Sequence, residues 1–224
     1  PAGASTGAHE AMAWPSGSVS KGMIFTENNV IPKLIGLSAN KQVEFDQLLK
    51  EIDGTANFSK MGGNISVALS LACAKSAANS SGTSLFEYLS KDTEYTIPAP
   101  MANVLGGGAH AVGGTDIQEY LVTAFDDDIN TAIEANALVH KTVKSSLKEK
   151  FPNIALGKGD EGAWVAPLEN VEALELVVKA TNLVEQETGV EIRPGLDMAA
   201  SEFYNNGTYN YKEQSLTPEE QVDF

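Results

Sequence analysis

The chain has 224 residues, and 42% of them are hydrophobic, which is enough to bury a core and excludes a largely disordered protein. Acidic residues number 30 against 15 basic ones, and the resulting net charge of −15 excludes nucleic acid and anionic membranes as expected partners. Cys73 is the single cysteine, so no internal disulfide can form, and we expect a reducing compartment, the cytoplasm. Its apolar neighbours predict a buried, inert thiol.

The first 93 residues predict a mainly helical region. Residues 1–22 are rich in Gly, Ser, Pro and Ala and predict a loop that leads into a short segment. Apolar residues at helical spacing predict a helix over 40–53, which Gly54 ends. A nearly all-apolar run predicts a buried helix over 64–78, and a short helix follows over 84–89. The sequence then becomes extended and bounded by prolines, so we place a domain boundary near residue 93.

After residue 93, strands and helices alternate. We predict strands over 117–124 and 190–197, and helices over 126–150 and 170–187. The predicted buried stripes of the two helices are Ile129, Ile133, Asn136, Val139, Val143 and Leu147, and Val171, Leu174, Val177, Val178, Leu183 and Val184. Three aspartates at 126–128 are better explained as an N-terminal cap than as a metal site. Such alternation favours a parallel α/β sheet or a barrel, in which polar residues at strand C-termini build the site.

The stretch over 157–167 attracts attention because Asp160 and Glu161 lie between glycines and Trp164 follows closely. An aromatic side chain beside a carboxyl can desolvate it and raise its pKa, although Gly and Asp are also typical of plain surface turns. Glu119, Glu161 and Asp197 all fit strand ends. If they converge, their mutual repulsion predicts a divalent cation between them; otherwise each is a separate surface residue.

Two histidines lie in loops rich in small residues. His9 and His110 have Gly, Ala or Ser around them, and such loops leave a side chain available to a ligand. The sequence alone leaves three alternatives for each, a general base, a ligand or a structural residue.

Six segments, in order along the whole chain, carry motifs of one known family. They are P-A-G-A-S-T-G-A-H-E-A over 1–11, G-G-N-I-S-V-A-L-S-L-A over 62–72, P-A-P-M-A-N-V-L-G-G-G-A-H-A over 98–111, Q-E at 118–119, G-D-E-G over 159–162 and G-L-D-M-A-A-S-E-F-Y over 195–204. Together they resemble enolase, the phosphopyruvate hydratase of glycolysis and gluconeogenesis, and Ala163-Trp164 is similar to its archaeal members. Ala2 and Gly106 depart from the Ser and Asn that the family usually has there.

The resemblance implies a hydro-lyase that uses two Mg²⁺ ions to convert the small molecule 2-phosphoglycerate into phosphoenolpyruvate and water. It implies Glu161 as the general acid, Asp197 as a ligand of the tightly bound magnesium, and Ser5, on a mobile loop, as a ligand of the second. The implied contacts with substrate or leaving group are His110, Gln118, Glu119 and His9.

The implied fold combines α+β and α/β parts. Residues 1–93 would form the enolase N-terminal lid or capping domain without its first strands, and residues 94–224 the first half of a (β/α) barrel. The family's base, a lysine, its two further magnesium carboxylates and its phosphate-binding Arg and Lys have no counterpart here, so we expect an internal fragment that is inactive alone. The family is usually dimeric or octameric, which makes a homo-oligomer the expected state.

Two other functions stay open. The chain can instead be a non-catalytic interaction or structural module, since a truncated sheet has unpaired edges that favour self-association. It can also be a relative of enolase that acts on another carboxylate substrate. The occurrence of Ser5, His9 and His110 together argues against this second alternative.

Overall fold

The computed structural model of the protein describes residues 7, 9–90, 94–111 and 113–224. The chain divides into two compact units, one that runs to Tyr95 and one from Thr96 to Phe224. We describe each unit by itself. Among the described residues, no helix combines the length and the apolar composition that a membrane crossing requires.

The first unit consists of helices in its described part. They are α1 (Val19–Phe25), α2 (Ile31–Leu34), α3 (Gln42–Asp53), α4 (Gly63–Ser81) and α5 (Leu85–Leu89), with a 3-10 turn at Pro15–Gly17 and a π-helical turn at Thr26–Val30. The predicted helices over 40–53, 64–78 and 84–89 are confirmed by α3, α4 and α5. The predicted loop over 1–22 is too long, because α1 already begins at Val19, where the Ser18 side chain accepts a hydrogen bond from the Lys21 N–H.

Local sequence signals explain where these helices end. Gly54 follows α3 in the left-handed conformation, at φ 65°, as its predicted stop role requires. Ser84 and Glu87 form a capping box that starts α5. Cys73 lies buried on α4, as predicted, and burial raises the pKa of its thiol. The unit has a small core of Val30, Leu49, Met61 and Ile65.

The second unit contains two sheets and three helices in its described part. Its elements are β1 (Met101–Gly106), β2 (Glu119–Phe125), α6 (Ile129–Lys150), β3 (Gly157–Lys158), β4 (Trp164–Val165), α7 (Asn170–Thr188), β5 (Glu191–Asp197), β6 (Tyr204–Asn205), β7 (Thr208–Asn210), β8 (Ser215–Leu216) and α8 (Pro218–Asp223). The larger sheet has the order β3-β4-β1-β2-β5, and β6, β7 and β8 form a separate three-stranded sheet.

The direction of β2 corrects the expectation of a parallel sheet. Strand β1 pairs with β4 in parallel, whereas β2 is antiparallel to both of its neighbours, β1 and β5. The connection fits this direction, since the described residues between β1 and β2 form a short 3-10 turn and no crossover α-helix, which is the usual link between parallel neighbours. Strands β1, β4 and β5 therefore run one way and β2 runs the other.

Helices α6 and α7 pack on the large sheet and on each other. The fully buried residues of this core include Val104, Tyr120, Val122, Val139, Val143, Leu147, Val177 and Val184. The predicted stripes are mostly confirmed, but Ile133, Val171 and Leu183 are about half exposed. Ala132 on α6 and Ala173 on α7 are buried instead. Because adjacent residues of a helix point about 100° apart, the face of each helix that meets the core is rotated away from the exposed members of the predicted stripe.

Candidate active site

The reversed strand β2 brings acidic residues to one edge of the sheet. Glu119 is the first residue of β2, and it pairs with Gly106, the last residue of β1, and with Asp197, the last residue of β5. The prediction that Glu119 ends a strand is therefore wrong. Because β2 runs opposite to its neighbours, its beginning lies at the edge where theirs end. Glu119 and Asp197 thus come together as the convergence hypothesis required.

The segment between β1 and β2 carries His110 to the same edge. Gly107 donates its N–H to the Gln118 carbonyl and Gly108 to the Thr115 carbonyl, each over 2.8 Å, so the two ends of the segment are joined. A side chain at position 107 would overlap the Thr115 hydroxyl and lie 2.5 Å from the Ile117 carbonyl, so this close approach requires glycine.

The far end of the same segment is attached to helix α7. The Asn170 side-chain oxygen accepts the backbone N–H groups of Asp116 and Ile117, at 2.9 and 3.1 Å. The Asn170 amide also donates to the Asp116 carboxylate, at 3.1 Å. Three groups of one short segment are thereby satisfied by a single residue of a packed helix, which stabilises the approach to Glu119.

His110 lies at the centre of the polar cluster. Its Nδ1 donates to Asp160 Oδ1 over 2.9 Å and lies 3.8 Å from Glu161 Oε1, while its Nε2 lies 4.0 Å from Glu119 Oε1. Desolvation lowers the pKa of His110, but the hydrogen bond to Asp160 and the charges of Glu161, Asp160 and Glu119 outweigh it, so the net pKa is raised. The same hydrogen bond lowers the pKa of Asp160. The imidazole is accordingly biased toward its charged form.

Glu119 is the carboxyl whose environment disfavours ionisation. Its side chain is only 15% exposed. Burial raises the pKa of Glu119, and the negative charges of Glu161 and Asp197 raise it further, together with a hydrogen bond to Glu161, against a smaller opposing effect of His110. Burial and the neighbouring negative charges therefore favour the protonated form of Glu119.

Glu161 lies on the turn between β3 and β4, at the same edge. Its Oε2 accepts a hydrogen bond of 3.1 Å from the Asn103 side-chain amide on β1, and its side chain is 46% exposed. The indole of Trp164 contacts His140 instead, at a ring-centroid distance of 5.1 Å. The more shielded of the two carboxyls is Glu119, which is 15% exposed against 46% for Glu161.

The structure brings together four of the seven predicted site residues and places a fifth beside them. His110, Glu119 and Glu161 offer ligand atoms within 4.8 Å of one another, and Asp197 lies opposite Glu119. Gln118, next to Glu119, is 3% exposed, and its side-chain oxygen has no hydrogen-bond partner among the described residues. His9 is an exposed turn residue of the first unit, and Ser5 lies outside the described residues. The functions of all seven stay predictions.

Two contacts of the cluster escaped the sequence analysis. Asn103 contacts Glu161 from 58 positions away, and Asp160, taken only as the neighbour of Glu161, pairs with His110. Asn103 lies inside the motif over 98–111, which is the only sequence signal that marked it.

The donor set suits a hard divalent cation. Carboxylate oxygens are the ligands that magnesium prefers. Asp197, the last residue of β5, and Glu119, the first residue of β2, present such oxygens side by side at the same edge of the sheet. Burial and, after it, the charges of Glu161 and Asp197 raise the pKa of Glu119, and a bound cation would offset the repulsion among these carboxylates. By contrast, a cleft of about 650 Å³ lined by Ile97, Phe125 and Asp127 lies at the opposite end of β2 and contains none of these groups.

A polar edge built from strand ends of an α/β sheet is the arrangement that barrel enzymes use for their active sites. Two family models match this chain, the enolase N-terminal domain over residues 1–89 and the enolase C-terminal TIM barrel domain over residues 94–223. The chain belongs to the enolase family. The predicted resemblance and fold class are thereby confirmed.

Curated relatives agree with the family models. The chain is 44% identical to the enolase of Methanothermobacter thermautotrophicus, 42% to that of Thermoplasma acidophilum and 46% to that of Methanocorpusculum labreanum. Each alignment covers 100% of this chain and 55 or 56% of the relative. The chain thus spans about half the length of these archaeal relatives.

Proposed function

We propose that this chain is part of a cytoplasmic enolase that removes water from 2-phosphoglycerate to give phosphoenolpyruvate, in glycolysis and gluconeogenesis. The observation that carries the proposal is the cluster of His110, Glu119 and Glu161 beside Asp197 at one sheet edge, in a chain of this family. In the same proposal, residues 1–93 are the N-terminal domain, residues 94–224 are the first half of the barrel, and the parent protein is a homo-oligomer.

Glu161 is the general acid in this proposal. Loss of water requires a proton on the departing 3-hydroxyl, and Glu161, partly exposed at the edge, can deliver it. Its position supports the assignment, because its ligand atom lies within 4.8 Å of those of His110 and Glu119, among the groups proposed to contact the substrate. Asn103 then stabilises the negative charge that appears on Glu161 as its proton leaves.

The remaining cluster residues bind the substrate. A charged His110 attracts an anionic substrate, and its hydrogen bond to Asp160 orients the ring. Gln118 has a buried oxygen that needs a donor, and a substrate hydroxyl can supply one. His9 is a further proposed substrate contact, as the resemblance to the family implies.

Magnesium is the proposed cofactor, with two ions in a complete site. Asp197 would bind the first ion and Ser5 the second. Asp197 already has one oxygen fixed, because its Oδ1 accepts the Ala199 N–H over 2.9 Å. When bound, magnesium supplies positive charge that offsets the negative charge of the substrate carboxylate as the proton next to it is removed.

The full-length protein tests this function. With 2-phosphoglycerate and magnesium, it should produce phosphoenolpyruvate, followed by its ultraviolet absorbance. Glu161→Gln should lower kcat by roughly 10²- to 10⁴-fold, the range of a general acid. Glu175→Gln, an exposed glutamate on α7, is the matched control and should leave kcat unchanged.

The 224-residue chain by itself should give no absorbance rise. Normal turnover by this chain would overturn the proposal that it supplies only part of the catalytic site. A full-length protein with no activity on 2-phosphoglycerate would instead contradict the assigned reaction.

A further inference from the structure

The turn that carries the proposed acid is short and has a conformation that favours glycine. Gly159 donates its N–H to the Ala163 carbonyl over 2.9 Å, and Gly162 donates to the Gly159 carbonyl over 3.0 Å. Gly162 has a φ of 83°, in the left-handed region. Since β3 and β4 have only two residues each, the strands themselves contribute little rigidity. The position of Glu161 therefore depends on what contacts the turn from outside.

His140 of helix α6 supplies such contacts on both sides of the turn. Its Nε2 donates to the Gly162 carbonyl over 3.0 Å, and its own backbone carbonyl accepts the Trp164 indole N–H, also over 3.0 Å. Its ring packs against the Trp164 indole with an interplanar angle of 32°. One residue thus binds the chain at the position after Glu161 and again two positions later.

The helix behind His140 is a rigid support. Val139 and Val143 are fully buried in the core between α6 and the sheet. The Trp164 ring is itself covered, because the ammonium groups of Lys144 and Lys158 lie 4.8 and 4.7 Å from its centre and its exposed fraction is 7%. Because His140 belongs to this packed helix, its contacts hold the turn in a fixed position relative to the core.

We propose that His140 is a positioning residue, which fixes the Gly162 carbonyl and thereby places Glu161 beside His110 and Glu119. This inference rests on the proposed role of Glu161 as the acid. The essential feature is the donor at Nε2, since a carbonyl oxygen can only accept. A small displacement of a reacting group is costly, and about 1 Å of misplacement lowers rates on the order of 100-fold.

Two substitutions separate the donor from the ring. His140→Phe keeps an aromatic ring against Trp164 but cannot donate, whereas His140→Gln loses the ring and keeps an amide donor of similar reach. In the full-length protein we expect His140→Phe to lower kcat at least tenfold with little change in KM. His140→Gln should restore kcat to within about threefold of wild type, and Lys141→Gln on the exposed face of α6 is the control. A His140→Phe enzyme with wild-type kcat, or equal losses in both variants, would overturn the proposal.

A double-variant cycle shows whether His140 acts through Glu161. If it does, His140→Phe should cause no further loss in an enzyme that already carries Glu161→Gln. An undiminished loss in that background contradicts the proposal but leaves the proposed function intact. An active Glu161→Gln enzyme contradicts the assigned acid itself, so the two failures are distinguishable.

A measurement on the wild-type protein covers the case in which His140→Phe does not fold. The Nε2 proton of His140 should give a nuclear magnetic resonance signal that exchanges slowly with water, because the Gly162 carbonyl accepts it. Assignment of a rapidly exchanging Nε2 proton to His140 would refute the contact on which the inference depends.

Discussion

Replacing Asn103 with leucine tests how strongly the amide supports the proposed acid. The Asn103 amide donates to Glu161 Oε2 over 3.1 Å. A hydrogen bond to a charged group contributes about 1.5–3 kcal/mol, and water at the 46%-exposed Glu161 side chain reduces this to about 1–2 kcal/mol. Because the charge on Glu161 develops as its proton leaves, this loss falls on the transition state. We expect kcat to fall by about 5- to 30-fold.

The same substitution should not destabilise the fold. Asn103 Oδ1 is buried and has no hydrogen-bond partner among the described residues. Leucine branches at the same carbon and removes this unpaired acceptor together with the donor, and the partly exposed position gives its larger side chain room, so the replacement should be close to neutral for stability. Activity and stability are thus predicted to respond differently, which a general loss of packing would not produce.

The assay is phosphoenolpyruvate formation by the full-length Asn103→Leu protein, with thermal unfolding measured on the same samples. Asn153→Leu, at an exposed turn position far along the chain, is the control for adding a leucine. A kcat within twofold of wild type, or a fall in kcat that parallels a lower Tm, would refute the argument that the amide acts on Glu161.

Three further predictions concern the fold and the metal. Asp53 is fully buried and accepts hydrogen bonds from the N–H groups of Thr55, Lys60 and Met61. Asp53→Asn should therefore lower the free energy of unfolding, measured by urea titration, by about 2 kcal/mol, and a change below about 0.5 kcal/mol would contradict this. Gly107→Ala should cost about 2 kcal/mol or more, because the added carbon overlaps Thr115; an unchanged Tm would show that the segment adapts. Removing divalent cations with a chelator should abolish turnover by the full-length enzyme, and added magnesium should restore it; activity that survives chelation would exclude the proposed cofactor.

Helices were predictable from the sequence because their signals are local. The helix predicted over 170–187 is observed at Asn170–Thr188, and Gly54 marks a helix end as expected. Spacing of apolar residues and capping side chains act within one or two turns, so a short window contains the information. The errors at Ile133 and Leu183 concern only which side of a correct helix meets the sheet.

The direction of β2 was not predictable from its own residues. Strands of either direction alternate in the same way, and direction follows from the connection to β1 and from pairing with β5. This one property decides whether Glu119 lies at the polar edge or at the opposite one. The sequence analysis therefore expected Glu119 near Asp197, where it lies, but assigned it the wrong position in its strand.

Contacts within the site depended on distant parts of the chain. The Asn103–Glu161 hydrogen bond joins residues 58 positions apart, and the His140–Gly162 bond joins residues 22 positions apart. The resemblance to enolase named Glu161 and His110, because these residues are part of short motifs. It offered nothing on His140, which lies in the middle of an amphipathic helix and has no local pattern that distinguishes it.

The concentration of acidic residues at this sheet edge favours a role in binding a positively charged ligand. Glu119, Glu161, Asp160 and Asp197 lie together in a chain with a net charge of −15, where dispersal would favour stability. His110 offsets part of this charge, but burial and the charges of Glu161 and Asp197 outweigh it and raise the pKa of Glu119. Ionisation of Glu119 therefore opposes folding as the pH rises above its ordinary pKa. Such a local cost is expected where function, and not stability, selects the residues, and a cation or a charged imidazole lowers it.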